Sequence, residues 1–224
     1  MKPLLSESQD AAALQELGRA SVQVVHDIKN QLNGLKLYAT FLRKRMEKTE
    51  RPSDEQETIA KLIAGLERAA ADMSALVRFG RPLDLRRQPG VDLTKLLNNL
   101  SDGDALGQPF SLHTEPGAFE GEFDVAALSE ALKIITAGAL NLPRPDGDGT
   151  LVIHLRPEDH TGAKSAVIEW RGVSTNGTDP FHSFAGSDAL RMSLAAKIIA
   201  AHGGETRQQP NALSVRLPIK SSDE

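Results

Sequence analysis

From Ala11 to Glu47 the chain contains no proline, and apolar or small residues return at Leu14, Leu17, Ser21, Val24 or Val25, Ile28, Leu32, Leu35, Ala39, Leu42 and Met46. Steps of three and four sustained over roughly nine turns point to one long amphipathic helix. The pattern breaks between Thr49 and Asp54, at Pro52, where Ser53 followed by Gln56 has the form of a capping box that opens a second helix. That helix carries its own stripe through Ile59, Leu62 or Ile63, Leu66, Ala70, Met73 and Val77, and it stops at Gly80-Arg81-Pro82. A short link makes the two an antiparallel hairpin. Two helices offer too little surface to cover both stripes, so the expected solution is a homodimer in which two hairpins form a four-helix bundle.

Beyond Pro82 glycine and proline become more frequent, and short strand-like runs alternate with further helices. Helices are expected at Asp92 to Leu100, Val125 to Leu142 and Ser187 to Ala201. Strands are expected at Phe110 to Thr114, Thr150 to Leu155, Ala166 to Arg171 and Leu213 to Leu217. This order is α+β, with helices packed on one face of a sheet, and it divides the chain into residues 1–80 and 81–224. At 40% hydrophobic and 25% charged, the 224 residues can bury one or two cores. The formal charge of -4 provides no overall field for nucleic acid or an anionic membrane. The absence of cysteine excludes disulfides, thiol catalysis and cysteine-held metal. MKPLLSESQD lacks the apolar core of a signal peptide, and no apolar run approaches the roughly 20 residues of a spanning helix, so a cytoplasmic location without membrane contact is expected.

His26 precedes Ile28 by two positions, which rotates it roughly 200° from the apolar stripe and toward solvent. Lys29, Asn30 and Asn33 follow on that face. A neutral imidazole nitrogen is a nucleophile near neutral pH, Asp27 can orient it or take its proton, and Asn30 could hydrogen-bond an attacking water or a phosphoryl oxygen. Gly18 and Gly34 each cost about 1 kcal/mol of helix propensity and would let another protein approach closely. Spacing alone leaves the alternative of a merely solvated histidine open.

The stretch Val25-His26-Asp27-Ile28-Lys29-Asn30-Gln31-Leu32-Asn33-Gly34-Leu35 resembles the H-box of two-component sensor histidine kinases: His, Glu or Asp, an apolar residue, Lys or Arg, Asn, Pro, Leu. Gln31 stands where the family has proline, which leaves the helix straighter. The resemblance implies that His26 accepts phosphate, that Asp27 assists, and that Asn30 could position water for dephosphorylating a response regulator. Lys29, Asn33 and Gly34 would meet the regulator's receiver domain. Residues 1–80 become a dimerisation and phosphoacceptor domain.

Residues 81–224 resemble the ATP-binding domain of the same kinases through Arg81-Pro82-Leu83-Asp84-Leu85, Val91-Asp92-Leu93 and the run from Leu194 to Gly204. The nucleotide elements depart from it. Ile134 and Gly138 stand where the family has magnesium-binding asparagines, with Asn141 as a displaced substitute. After Ile168-Glu169-Trp170 the chain reads Arg171-Gly172-Val173 where an Asp-x-Gly-x-Gly box is expected, so the adenine-recognising aspartate is missing. Ser187-Asp188-Ala189-Leu190-Arg191-Met192 replaces Gly-x-Gly-Leu-Gly-Leu, and the side chains of Ala189 and Arg191 obstruct a phosphate cradle. Arg171 or Arg191 could bind phosphate by themselves, although a lone arginine is more often a solvated charge.

What the resemblance implies is a histidine phosphotransferase relaying phosphate between response-regulator aspartates through His26. It would use no ATP and no cofactor or metal of its own, with magnesium carried by the regulator. A response-regulator phosphatase using Asn30, a non-catalytic pseudokinase scaffold and a divergent active kinase remain as alternatives. His113, His154, His160, His182 and His202 lack ligand-like spacing and are read as structural, and the single Trp170 as core.

Overall fold

A computed structural model describes residues 25, 28–46, 53–101, 109–145, 150–160, 163–175, 177, 179–183 and 187–220. The chain separates into two compact units, Met1–Pro82 and Leu83–Glu224. The first is a helical hairpin of α1 (28–46) and α2 (Ser53–Gly80). Asp54 and Glu55 occupy the first turn of α2 and Arg78 the last, so both ends complement the helix dipole. Ala39, Ile63 and Ala75 are buried. Lys36 Nζ reaches Glu67 Oε1 at 2.7 Å, and the hydrogen bond holds that carboxyl below its usual range. The pair is about half exposed, so it fixes the register of the helices more than it stabilises them. No described helix is long and apolar enough to cross a membrane.

The second unit contains β1 (Gln88–Asp92), α3 (Leu93–Ser101), β2 (Phe110–Thr114), β3 (Glu120–Phe123), α4 (Val125–Asn141), β4 (Leu151–His160), β5 (Ala163–Arg171), α5 (Ser187–Ala201), β6 (Glu205–Gln209) and β7 (Ala212–Pro218). β1 and β3 form a two-stranded antiparallel sheet; the larger sheet has the order β2-β4-β5-β7-β6, with β2 parallel to β4 and the other pairs antiparallel. Along β4, buried Leu151, Ile153 and Leu155 alternate with half-buried Val152, His154 and Arg156, so one face of the sheet is covered. Leu128, Leu132 and Ile135 of α4 and Leu194, Ile198 and Ile199 of α5 share that core. The fold class expected from sequence therefore holds.

The strand bounds differ. β4 and β5 form a hairpin that continues past Leu155 through Pro157↔Ala166 to His160↔Ala163, because cross-strand hydrogen bonding carries polar residues that apolar alternation cannot reveal. β1, with Pro89 and Gly90 at φ 72, its partner β3, and β6, the polar Glu-Thr-Arg-Gln-Gln, are additional strands. An edge strand needs only one partner and tolerates these compositions.

Two buried hydrogen-bond chains orient the helices. Trp170 Nε1–H donates to Thr136 Oγ1 at 2.9 Å, and Thr136 donates to the Leu132 carbonyl at 2.8 Å, with both side chains fully buried. Asp124 caps α4 by accepting from the amide of Ala127 at 3.0 Å, and it also accepts from the amide of Arg86 at 2.8 Å. The amide of Asp124 donates to His202 Nε2 at 3.0 Å, while His202 Nδ1 lies 2.8 Å from the Ile198 carbonyl. An amide can only donate, so His202, 1% exposed, is neutral with its proton on Nδ1.

Thr136→Val removes the acceptor for a buried indole N–H, and chemical denaturation should show a loss of about 1–3 kcal/mol that Thr136→Ser largely avoids. Burial pushes the His202 imidazole below its ordinary value, so the unfolded chain takes up a proton more readily and stability falls as pH drops below about 6.5. The amides of Ala127 and Arg86 hold Asp124 low; its contribution, present above the ordinary carboxyl range, disappears on acidification through the folded value, in the same direction. His202→Gln should be less stable at pH 7 by about 1–3 kcal/mol, and its denaturation midpoint should vary less between pH 7 and 5 than that of the wild type.

Candidate functional site

α1 presents three faces. Half-buried Leu32 and buried Ala39 point into the hairpin. Ile28, Leu35, Tyr38 and Leu42, related by steps of seven and three or four, stay exposed on a second face. The third face carries Asn30, Asn33, Gly34, Leu37 and Phe41; Asn30 and Asn33 are exposed, Leu37 is 54% exposed and Phe41 59%. The single apolar stripe expected from sequence is thus two faces, since one neighbouring helix cannot cover so wide an arc.

His26 and Asp27 lie outside the described residues. In the sequence His26 precedes Asn30 by four residues and Asn33 by seven. Lys29 does not share the third face. It is half-buried and precedes Lys36, the partner of Glu67, by seven residues, which places it on the shoulder toward α2. A Cβ added to Gly34 would meet nothing within 4 Å. Leu37 and Phe41 escaped the sequence reading, although their steps of four from Asn33 were available in it.

In the second unit, Lys133, Ile134, Ala137, Gly138 and Asn141 of α4 and Asp188, Arg191 and Met192 of α5 line a cleft of about 250 Å³. A Cβ on Gly138 would lie 2.5 Å from Met192 Sδ, so the methionine, 2% exposed, occupies the volume that a larger residue at 138 would need. Neither Ile134 nor Gly138 offers a side-chain oxygen to a magnesium ion. After β5 the chain turns at Gly172, φ 80, whose amide donates to Asn211 O at 3.0 Å; the amide of Ser174 donates to Pro143 O at 2.8 Å. Arg171 is paired with Glu169, its Nε donating to Glu169 Oε2 at 2.8 Å. Burial would raise the Glu169 carboxyl, but hydrogen bonds from Arg171 and Arg156 outweigh it and hold the group low. Arg191 remains at the cleft. Among the described residues no group of three or more His, Asp or Glu is placed to hold a metal.

Neither a family model nor a curated protein matches the chain in sequence. Solved structures match its fold. Full-length ShkA in complex with AMPPNP aligns with a TM-score of 0.64 at 15% identity, over 89% of this chain and 45% of that one. This chain therefore spans less than half of ShkA. The Acinetobacter baumannii histidine kinase AdeS aligns with a TM-score of 0.55 at 15% identity, over 86% of this chain and 97% of AdeS. The chain has the fold of a histidine kinase: a helical hairpin followed by an α/β sandwich domain.

Proposed function

We infer that this chain is a two-component signalling protein that relays phosphoryl groups between response-regulator aspartates through His26, as a histidine phosphotransferase that binds no ATP. The observation that carries the reading is the Met192 side chain packed over Gly138. ShkA was solved with AMPPNP. Here the positions that would hold the nucleotide's magnesium are Ile134 and Gly138, and the remaining cleft of about 250 Å³ falls below the roughly 300–1,000 Å³ of ordinary small-molecule sites.

A regulator's aspartyl phosphate meets the His26 imidazole in line: the N–P bond forms as the P–O bond to the aspartate breaks, and the regulator's own magnesium offsets the spreading charge. Asp27 holds the proton on the other ring nitrogen. Asn30, Asn33, Leu37 and Phe41 give the receiver domain a polar rim and an apolar patch. Gly34 costs about 1 kcal/mol of helix propensity with no neighbour among the described residues to require it, which supports close approach from outside.

The exposed apolar faces support a homodimer. Exposed Ile28, Leu35, Tyr38 and Leu42 on α1, and exposed Leu62 and Leu76 with half-buried Leu66, Ala69 and Met73 on α2, recur at steps of three, four and seven, which suits the seam of a four-helix bundle. Residues 1–80 then form the dimerisation and phosphoacceptor domain, and residues 81–224 a degenerate ATPase-like domain that contributes to partner choice. Exposure of Asn30 favours one second reading, dephosphorylation of the regulator by water directed from its amide.

Incubation with radiolabelled phosphorylated regulators separates these. Relay requires label on the wild-type chain and none on His26→Ala; regulator phosphate that still disappears with His26→Ala but persists with Asn30→Ala shows dephosphorylation instead. Calorimetric ATP binding together with acid-labile phosphate on His26 from ATP alone would overturn the nucleotide-free reading. Leu35→Asp should convert a dimer to a monomer in sedimentation velocity, by burying a charge at the seam.

A further inference from the structure

Of the histidines read as structural, His202 fits that role and His182 does not. The His182 side chain is 70% exposed, and its Nδ1 lies 2.7 Å from Asp179 Oδ2. Oδ1 of Asp179 accepts from the amide of Phe181 at 2.9 Å. The preceding residue, Phe181, is buried and ties the backbone on one side of His182 to the core. On the other, the Ser183 carbonyl accepts from Ser193 Oγ, a buried hydroxyl of α5, at 2.8 Å. The imidazole thus stands on a ledge tied to the core on both sides.

A carboxylate only accepts, so Nδ1 carries the proton, and in the neutral ring the lone pair is then on Nε2, the form of a nucleophilic imidazole. Such exposure provides no enclosure for a small substrate. It suits a group presented by a larger molecule.

We propose that His182 is a second phosphoryl acceptor of this chain, reacting at Nε2 with acyl phosphates. The Nε2 lone pair forms the N–P bond, the P–O bond to the acyl group breaks, and its electron pair leaves on the carboxylate. The Nδ1 proton stays hydrogen-bonded to Asp179, whose charge offsets that of the substituted ring. That the acyl phosphate in the cell is a regulator's aspartate rests on the function proposed above; the reactivity of His182 does not.

Asp179 is a positioning residue. Asp179→Asn can keep its oxygen on the Phe181 amide while turning an NH₂ toward Nδ1, which moves the ring proton to Nε2 and removes the nucleophile. The test treats full-length His26→Ala with acetyl phosphate and maps acid-labile phosphate by mass spectrometry at neutral pH. Phosphate should appear on His182, fall on the order of tenfold or more when Asp179→Asn is added, and vanish with His182→Ala. Exposed His113 serves as the control for general surface reactivity. No phosphate on His182, equal labelling with Asp179→Asn, or equal labelling of His113 would overturn the proposal. Each leaves the His26 relay standing, because transfer from phosphorylated regulators tests that separately.

Discussion

The hydrogen bond from the Trp170 indole to Thr136 sets the rotation of α4 about its own axis. A buried N–H left without an acceptor would cost about 1–3 kcal/mol, so Thr136 must face the sheet. Ile134 and Gly138 lie two residues to either side, roughly 200° around the helix, and are thereby turned to the opposite face with Asn141. The identity of the residues at the cleft follows from a bond made on the far side of the helix. Asp124 and His202 hold the start of α4 in the same way, so its position along and around its axis is fixed at two points.

Much of this architecture was legible in the chain. Phe110–Thr114 and Ser187–Ala201 have the bounds that their patterns indicate, and Gly80-Arg81-Pro82 marks the end of α2. Apolar periodicity reports burial, however, and it falls silent where a strand is polar or interrupted, as in β1, β6 and the outer half of the β4–β5 hairpin. The same limit merged two faces of α1 into one stripe, because periodicity records that Leu32 and Leu35 are apolar and not which neighbour covers them.

The candidate sites were legible to different depths. The order of His26, Lys29, Asn30 and Asn33 is a local pattern, yet the shoulder position of Lys29 needed the Lys36–Glu67 pair to reveal it. That Ile134 and Gly138 lack a side-chain oxygen is plain in the sequence, whereas the packing of Met192 against Gly138 joins two distant parts of the chain and required the fold. His182 and Asp179 are three residues apart, but nothing in that spacing discloses that the Phe181 amide bonds Asp179 or that Ser193 bonds the Ser183 carbonyl beside His182.

β6 closes one edge of the five-stranded sheet with Glu205, Arg207 and Gln209 exposed, and Arg207 Nη2 lies 2.9 Å from Glu205 Oε2. An unpaired strand is a template on which another chain can add, and hydrated charges along it make that addition unfavourable. The hairpin's apolar faces carry no such guard. Polarity along β6 therefore disfavours open-ended β-aggregation through that edge of the sheet.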